Sequence, residues 1–227
     1  MVTLVNNVPG PKQGFWIYVG NNMKGSLGMT TTSERLAMVT PADWVPGPPQ
    51  GTWTYNDYAA LPDDGYRYEI VNGVLVMTPA PSPEHQAISV RIAYYLFPHI
   101  DLMGIGKLFT APIDVELGPK NVFQPDLVVV LNAHLDRVAE KKIIGAPDLV
   151  VEVASPSTAA YDRLTKYERY AHAGIIEYWL VKPITRTVEV LVLENGEYHL
   201  LGAFRGQQTL SSHIVLNLPV HVEQFFP

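Results

Sequence analysis

The sequence predicts an α/β domain built on a mixed central sheet with added β-hairpins. Three observations carry that prediction. Between residues 82 and 181 the elements read helix, strand, strand, strand, helix, strand. Two of those strands are runs of apolar β-formers, and both helices open on a serine cap. Asn-Gly pairs between alternating segments mark the hairpins.

Taken in order, residues 1–50 hold Pro9, Pro11, Pro41, Pro46, Pro48 and Pro49 with scattered Gly, Asn and Thr, and show no sustained period of 2 or 3.6. They read as an irregular N-terminal arm. Met23, Met29 and Met38 are each credible alternative starts, so part of the arm is a candidate gene-start artefact. A single domain is expected over 51–227. Thr54-Tyr55-Asn56-Asp57-Tyr58 reads as a short capped helix, and Tyr66–Ile70 joins Val74–Met77 through Asn72-Gly73 as a hairpin. Ser82-Pro83-Glu84 opens a helix with Ile88, Ile92, Tyr95 and Leu96 on one face. Strands are expected at Leu108–Leu117, Gln124–Leu131 and Asp148–Ala154. Ser155-Pro156-Ser157 caps a second helix that runs to Ala173 and stops at Gly174. A strand at Ile176–Val181, a hairpin of Val188–Leu193 and Tyr198–Phe204 around Asn195-Gly196, and a last short strand at Ile214–Leu218 complete the chain.

Composition removes several function classes. The chain has 227 residues, 47% of them apolar and 17% charged, enough for one domain with a sizeable core. With no cysteine, there is no disulfide, thiolate zinc site or cysteine nucleophile. The sequence shows no basic leader followed by an apolar run and no apolar stretch of about 18 residues, so the expectation is a cytoplasmic protein with no membrane partner. A net charge of -6 argues against nucleic-acid binding over the whole surface. It leaves room for a local contact near Arg137, Lys141, Lys142, Arg163, Lys166 and Arg169, which flank two acidic strands.

Those strands carry the chemistry. Asp126 in Gln124-Pro125-Asp126-Leu127-Val128-Val129-Val130 and Glu152 in Asp148-Leu149-Val150-Val151-Glu152-Val153 are carboxylates among apolar β-formers. Burying an unpaired ionised carboxyl costs several kcal/mol, so two of them in neighbouring strands call for a cation. Lys166 follows on a predicted helix. Two strand-borne carboxylates and a lysine suit metal-assisted phosphodiester hydrolysis, in which Mg²⁺ or Mn²⁺ takes oxygen ligands and keeps positions open for water and phosphate. A buried salt bridge of Glu152 to Arg163 or Lys166 is the rival reading. Glu84 is a third candidate, although an acidic residue in a helix's first turn is also favoured by the dipole. His85 either positions substrate or caps the helix. Asp114 shares a face with Glu116 by period-2 spacing and is a candidate neighbour of the metal. Asp148 shares the Glu152 face but lies about 13 Å away along an extended strand.

From Thr52 to Phe226 the sequence resembles the Uma-two family of bacterial restriction endonucleases, within the PD-(D/E)XK nuclease superfamily. The resemblance rests on Arg67-Tyr68-Glu69-Ile70-Val71-Asn72-Gly73, Pro81-Ser82-Pro83-Glu84-His85, Gln124-Pro125-Asp126, Pro147-Asp148 through Ser157, Asp162-Arg163-Leu164-Thr165-Lys166 and Glu177-Tyr178-Trp179. It implies a restriction-endonuclease-like α-β-β-β-α-β core. It further implies a metal held by Asp126, Glu152 and the Val153 carbonyl, and a catalytic set of Asp126, Glu152 and Lys166. The superfamily's usual lysine two positions after the glutamate is replaced by Ala154, and the family carries its lysine at the helical position of Lys166. Glu69 belongs to a hairpin the family keeps, with no role assigned. The expected function is a Mg²⁺-dependent endonuclease hydrolysing DNA, as a homodimer where both strands are cut. The alternative is a nuclease-like fold without cleavage that binds nucleic acid or protein.

Overall fold

Runs of β-branched residues broken by Gly, Asn and Pro fold into two mixed sheets in the computed structural model, which describes residues 39–155 and 161–227. The first sheet has the order β1-β3-β2-β6-β5-β8. Its strands are β1 (Thr40–Pro41), β2 (Arg67–Val71), β3 (Val74–Thr78), β5 (Asp114–Glu116), β6 (Val122–Phe123) and β8 (Lys142–Ile144). The second has the order β12-β11-β10-β9-β7-β4. It is built from β4 (Gly106–Thr110), β7 (Leu127–Leu131), β9 (Leu149–Val153), β10 (Glu177–Lys182), β11 (Thr187–Glu194) and β12 (Glu197–Arg205). The α-helices among the described residues are α1 (Tyr55–Ala59), α2 (Pro83–Phe97) and α3 (Tyr167–Ala173), the last preceded by a π-turn at Asp162–Lys166. The order α2, β4, β7, β9, α3, β10 is the expected α-β-β-β-α-β core.

The second sheet is covered on both faces. Strand β7 is apolar throughout and β9 is apolar except at Glu152, as expected of sheet-centre strands when neither face meets water. On one face Ile88, Ile92 and Leu96 of α2 pack on Leu127, Val129, Val151, Val153 and Trp179. On the other, Tyr170 and Ala171 of α3 join Val150, Ala154, Tyr178 and Leu180, together with Val71, Val76 and Phe123 of the first sheet. The period-2 alternation of β9 therefore sends Val151 and Val153 to the α2 side and Glu152 to the α3 side. Helix α2 begins as predicted, with Ser82 accepting the His85 N–H and Pro83 in the first turn. Gly174, in the left-handed region, stops α3.

Several expectations change. The strand expected at Leu108–Leu117 is two strands in different sheets: Pro112 lacks an N–H, so the ladder ends at Thr110 and resumes at Asp114 against β6 and β8. Ile214–Leu218 forms no strand, because the Ile214 and Val215 N–H groups are taken by the Ser212 hydroxyl while the buried Glu177 carboxylate holds Ser212 Oγ and the His213 N–H. The Ser155-Pro156-Ser157 cap falls largely outside the described residues. Of the arm expected over 1–50, residues 39–50 are described, and Thr40 and Pro41 form an edge strand of the first sheet. Thr40 and Pro41 pair with Met77 and Val76, Ala42 is fully buried, and Gly47 lies so close against the Trp53 indole that a side chain would not fit. Residues 1–38 lie outside the described residues. Among the described residues no helix is long and apolar enough to cross a membrane.

A chain beginning at Gly51 loses β1 and uncovers Trp53, at a cost of about 2 kcal/mol. Thermal denaturation should place its midpoint about 4–8 °C below that of a chain beginning at Val39. Equal midpoints would show that residues 39–50 add nothing to the fold.

Candidate active site

Antiparallel pairing of β7 with β9 sets the first distance in the site. Leu127 faces Val151, so the register carried one step further places Asp126 beside Glu152 at the end of the two strands. Both carboxylates are buried, at 7% and 4% exposure. Asp126 Oδ2 accepts the Val153 N–H at 2.7 Å, which ties it to the residue after Glu152. The same oxygen lies 3.1 Å from His85 Nε2, at the first turn of α2. His85 Nδ1 is buried with no hydrogen-bond partner among the described residues.

Glu152 is met from the other side. Lys166 ends the π-turn and Tyr170 follows four residues later, so both project toward one face of the sheet. Lys166 Nζ donates to Glu152 Oε1 at 2.9 Å, and Tyr170 Oη donates to the same oxygen at 2.7 Å. Burial, with the charges of Glu152 and Glu69, holds the Tyr170 hydroxyl well above the ordinary tyrosine range, so it stays a donor.

Glu69 completes the cluster. It sits on β2 of the first sheet at 2% exposure, and its Oε1 lies 3.1 Å from Lys166 Nζ while accepting the Gln124 N–H at 2.9 Å. Its Oε2 accepts from Tyr161 Oη at 2.9 Å. One ammonium is thus shared between carboxylates of different sheets. The bond to Gln124 also fixes the backbone two residues before Asp126.

The structure therefore brings Asp126, Glu152, Val153, Lys166 and His85 together. Glu84 stands apart and exposed, since neighbouring residues on a helix point about 100° apart and His85 takes the inward direction. Asp114 is held elsewhere: its Oδ1 accepts from Tyr58 Oη at 3.1 Å and from Gln124 Nε2 at 2.9 Å. The salt bridge to Lys166 weighed for Glu152 is present; the Arg163 side chain lies outside what the structure describes. Asp148 has its own partners, the Leu131 N–H and His134. Lys142 pairs with Glu116 and Arg137 binds the Ala146 carbonyl, so neither of these bases points into the cluster. Residue-level reasoning missed Glu69, Tyr161 and Tyr170 as members. Two signals were available: Glu69 is a carboxylate between Tyr68 and Ile70 in a β-run, and Tyr170 stands four residues after Lys166.

Oxygen donors of this kind suit a hard divalent cation, which is commonly held by one or two carboxylates plus water and substrate phosphate. Among the described residues no group of three or more metal-ligating side chains occurs. Among the described residues the cluster sets Asp126, Glu152 and Glu69 around the Lys166 ammonium.

Comparison with known proteins concerns the family and the fold. Residues 55–222 match the model of the Uma2 family, described as "Putative restriction endonuclease". An uncharacterized protein of Synechocystis sp., slr1290, is 32% identical over 125 residues, which span 55% of this chain and 64% of that protein. A crystal structure of "a putative nuclease belonging to DUF820" from Anabaena variabilis ATCC 29413 superposes with a TM-score of 0.64 at 20% identity, over 77% of this chain and 97% of the other. That likeness is one of fold.

A tyrosine with a raised folded-state pKa stabilises the protein below the unfolded value near 10, and the contribution is lost as pH climbs above it. Denaturant titrations should show stability falling above pH 10, with a shallower fall for Tyr170→Phe. Tyr170→Phe should also cost about 1–2 kcal/mol at pH 8 through the hydrogen bond removed from Glu152. An identical alkaline slope in both proteins would mean that Tyr170 is not protected as described.

Proposed function

We propose, for a chain that belongs to the Uma2 restriction endonuclease family, that it is a metal-dependent endonuclease hydrolysing DNA phosphodiester bonds in the cytoplasm. The observation that carries the reading is the meeting of Asp126 and Glu152 at adjacent strand ends with Lys166 Nζ 2.9 Å from the glutamate. Asp126, Glu152 and the Val153 carbonyl would hold Mg²⁺ or Mn²⁺. The bound ion supplies Lewis acidity at the phosphate and lowers the pKa of a water molecule. The protein's own residues do the rest. Val153 N–H and His85 Nε2 fix the Asp126 carboxylate, and Tyr170 Oη fixes that of Glu152. Lys166, held in place before substrate arrives, offers its ammonium to the charge that develops on the phosphate oxygens. Its origin on a helix rather than two residues after the glutamate does not change the outcome, because the π-turn delivers Nζ to Glu152 all the same. With a net charge of -6, DNA contact would be local. Cutting both strands would take two copies related by a two-fold axis.

Asp126→Asn and Glu152→Gln should each abolish Mn²⁺ binding in calorimetry and cleavage of plasmid DNA, because amides keep the shape but lose the charge. Wild-type affinity in the double variant would move the site elsewhere. Tight Mn²⁺ binding without cleavage of any DNA would favour a nuclease-like binding module.

Lys166→Met should retain Mn²⁺ binding and most DNA binding and lose about 10²-fold or more in cleavage rate. Metal-free, it should melt lower than wild type, since two buried carboxylates lose a partner. Wild-type turnover in the folded variant would remove Lys166 from the mechanism.

A further inference from the structure

We infer that Glu69 is a positioning residue, the carboxylate that keeps the Lys166 ammonium neutralised and in place when Glu152 gives its charge to the metal. The inference rests on the metal site proposed above. In the structure Lys166 Nζ lies 2.9 Å from Glu152 Oε1 and 3.1 Å from Glu69 Oε1. A divalent cation and an ammonium on one carboxylate repel each other, more strongly in a buried site than in water. The lysine can stay close only if a second anion takes up its charge.

Glu69 meets the requirements for that role. It is buried, and it stands on β2, paired to β3 on one side and β6 on the other. Both its oxygens are fixed: Oε1 by the Gln124 N–H and Oε2 by Tyr161 Oη. Little reorganisation accompanies a shift of the ammonium from Glu152 toward Glu69. Glu69 therefore acts through Lys166, without touching metal or substrate. It also accounts for the Arg67-Tyr68-Glu69 hairpin, which the metal ligands and the lysine leave without a role.

The test is a double-mutant cycle read by Mn²⁺ titration calorimetry on the full chain. Glu69→Gln keeps the shape and one acceptor oxygen but removes the charge, leaving the ammonium drawn more strongly to Glu152. Its Mn²⁺ affinity should fall about ten-fold or more. Adding Lys166→Met removes the competing ammonium, so Glu69→Gln/Lys166→Met should bind Mn²⁺ within about three-fold of Lys166→Met alone. If Glu69 were itself a ligand, or acted only by holding the fold, the loss would persist in the Lys166→Met background and the inference would fall. Unchanged affinity in a folded Glu69→Gln protein would overturn it and leave the metal site standing. No Mn²⁺ binding by the wild type would bring down both. Should Glu69→Gln alone fail to fold, the comparison within the Lys166→Met background still decides, because an effect of Glu69 there contradicts a role exerted through the lysine.

Discussion

A buried ammonium shared by two carboxylates ties three parts of this molecule together. Lys166 comes from the turn before α3, Glu152 from the second sheet and Glu69 from the first, and all three are at most 5% exposed. Such a triad is expensive to desolvate and is not an efficient way to stabilise a fold; apolar residues of the same volume often do as well or better. Its geometry has one clear effect. The lysine is fixed at the end of β9 beside Asp126, where an unbraced four-carbon side chain would spread over many rotamers. Pre-organised charge is what catalysis at a phosphate demands.

The same logic orders the surroundings. Glu69 binds the Gln124 N–H, so the strand that fixes the lysine also sets the approach to Asp126. Gln124 in turn holds Asp114 through its side chain, with Tyr58 joining from α1. Asp126 is braced by the Val153 N–H and His85, and Glu152 by Tyr170. Each carboxylate of the centre thus has a partner from a different element, and the two-sided core of the second sheet keeps those elements in register.

The sequence showed the core well where elements are long and periodic. Helix α2, strands β7, β9 and β10 and both Asn-Gly hairpins appear where pattern and turn chemistry put them. It failed where tertiary context decides. Strands β1, β6 and β8 have two or three residues each, too few to show a period, and exist only because a neighbour completes their hydrogen bonds. The tail at Ile214 is apolar enough for a strand, yet Glu177 and Ser212 take its N–H groups. Asp126 and Glu152 show in the sequence as carboxylates among apolar β-formers, and the structure buries both. Glu69 carried the same signal between Tyr68 and Ile70, but its partner lies 97 positions away in the chain. Only the packing of one sheet on the other reveals that pairing.

In the proposed centre Asp126 and Glu152 would share one divalent cation while Lys166 stays beside them on Glu69. Anomalous diffraction from a crystal of the full chain grown with Mn²⁺ tests it most directly. A single strong peak bonded to both carboxylates is expected, with Lys166 Nζ still in hydrogen-bond contact with Glu69. A peak elsewhere, or a Lys166 driven out of the cluster when the metal enters, would contradict it.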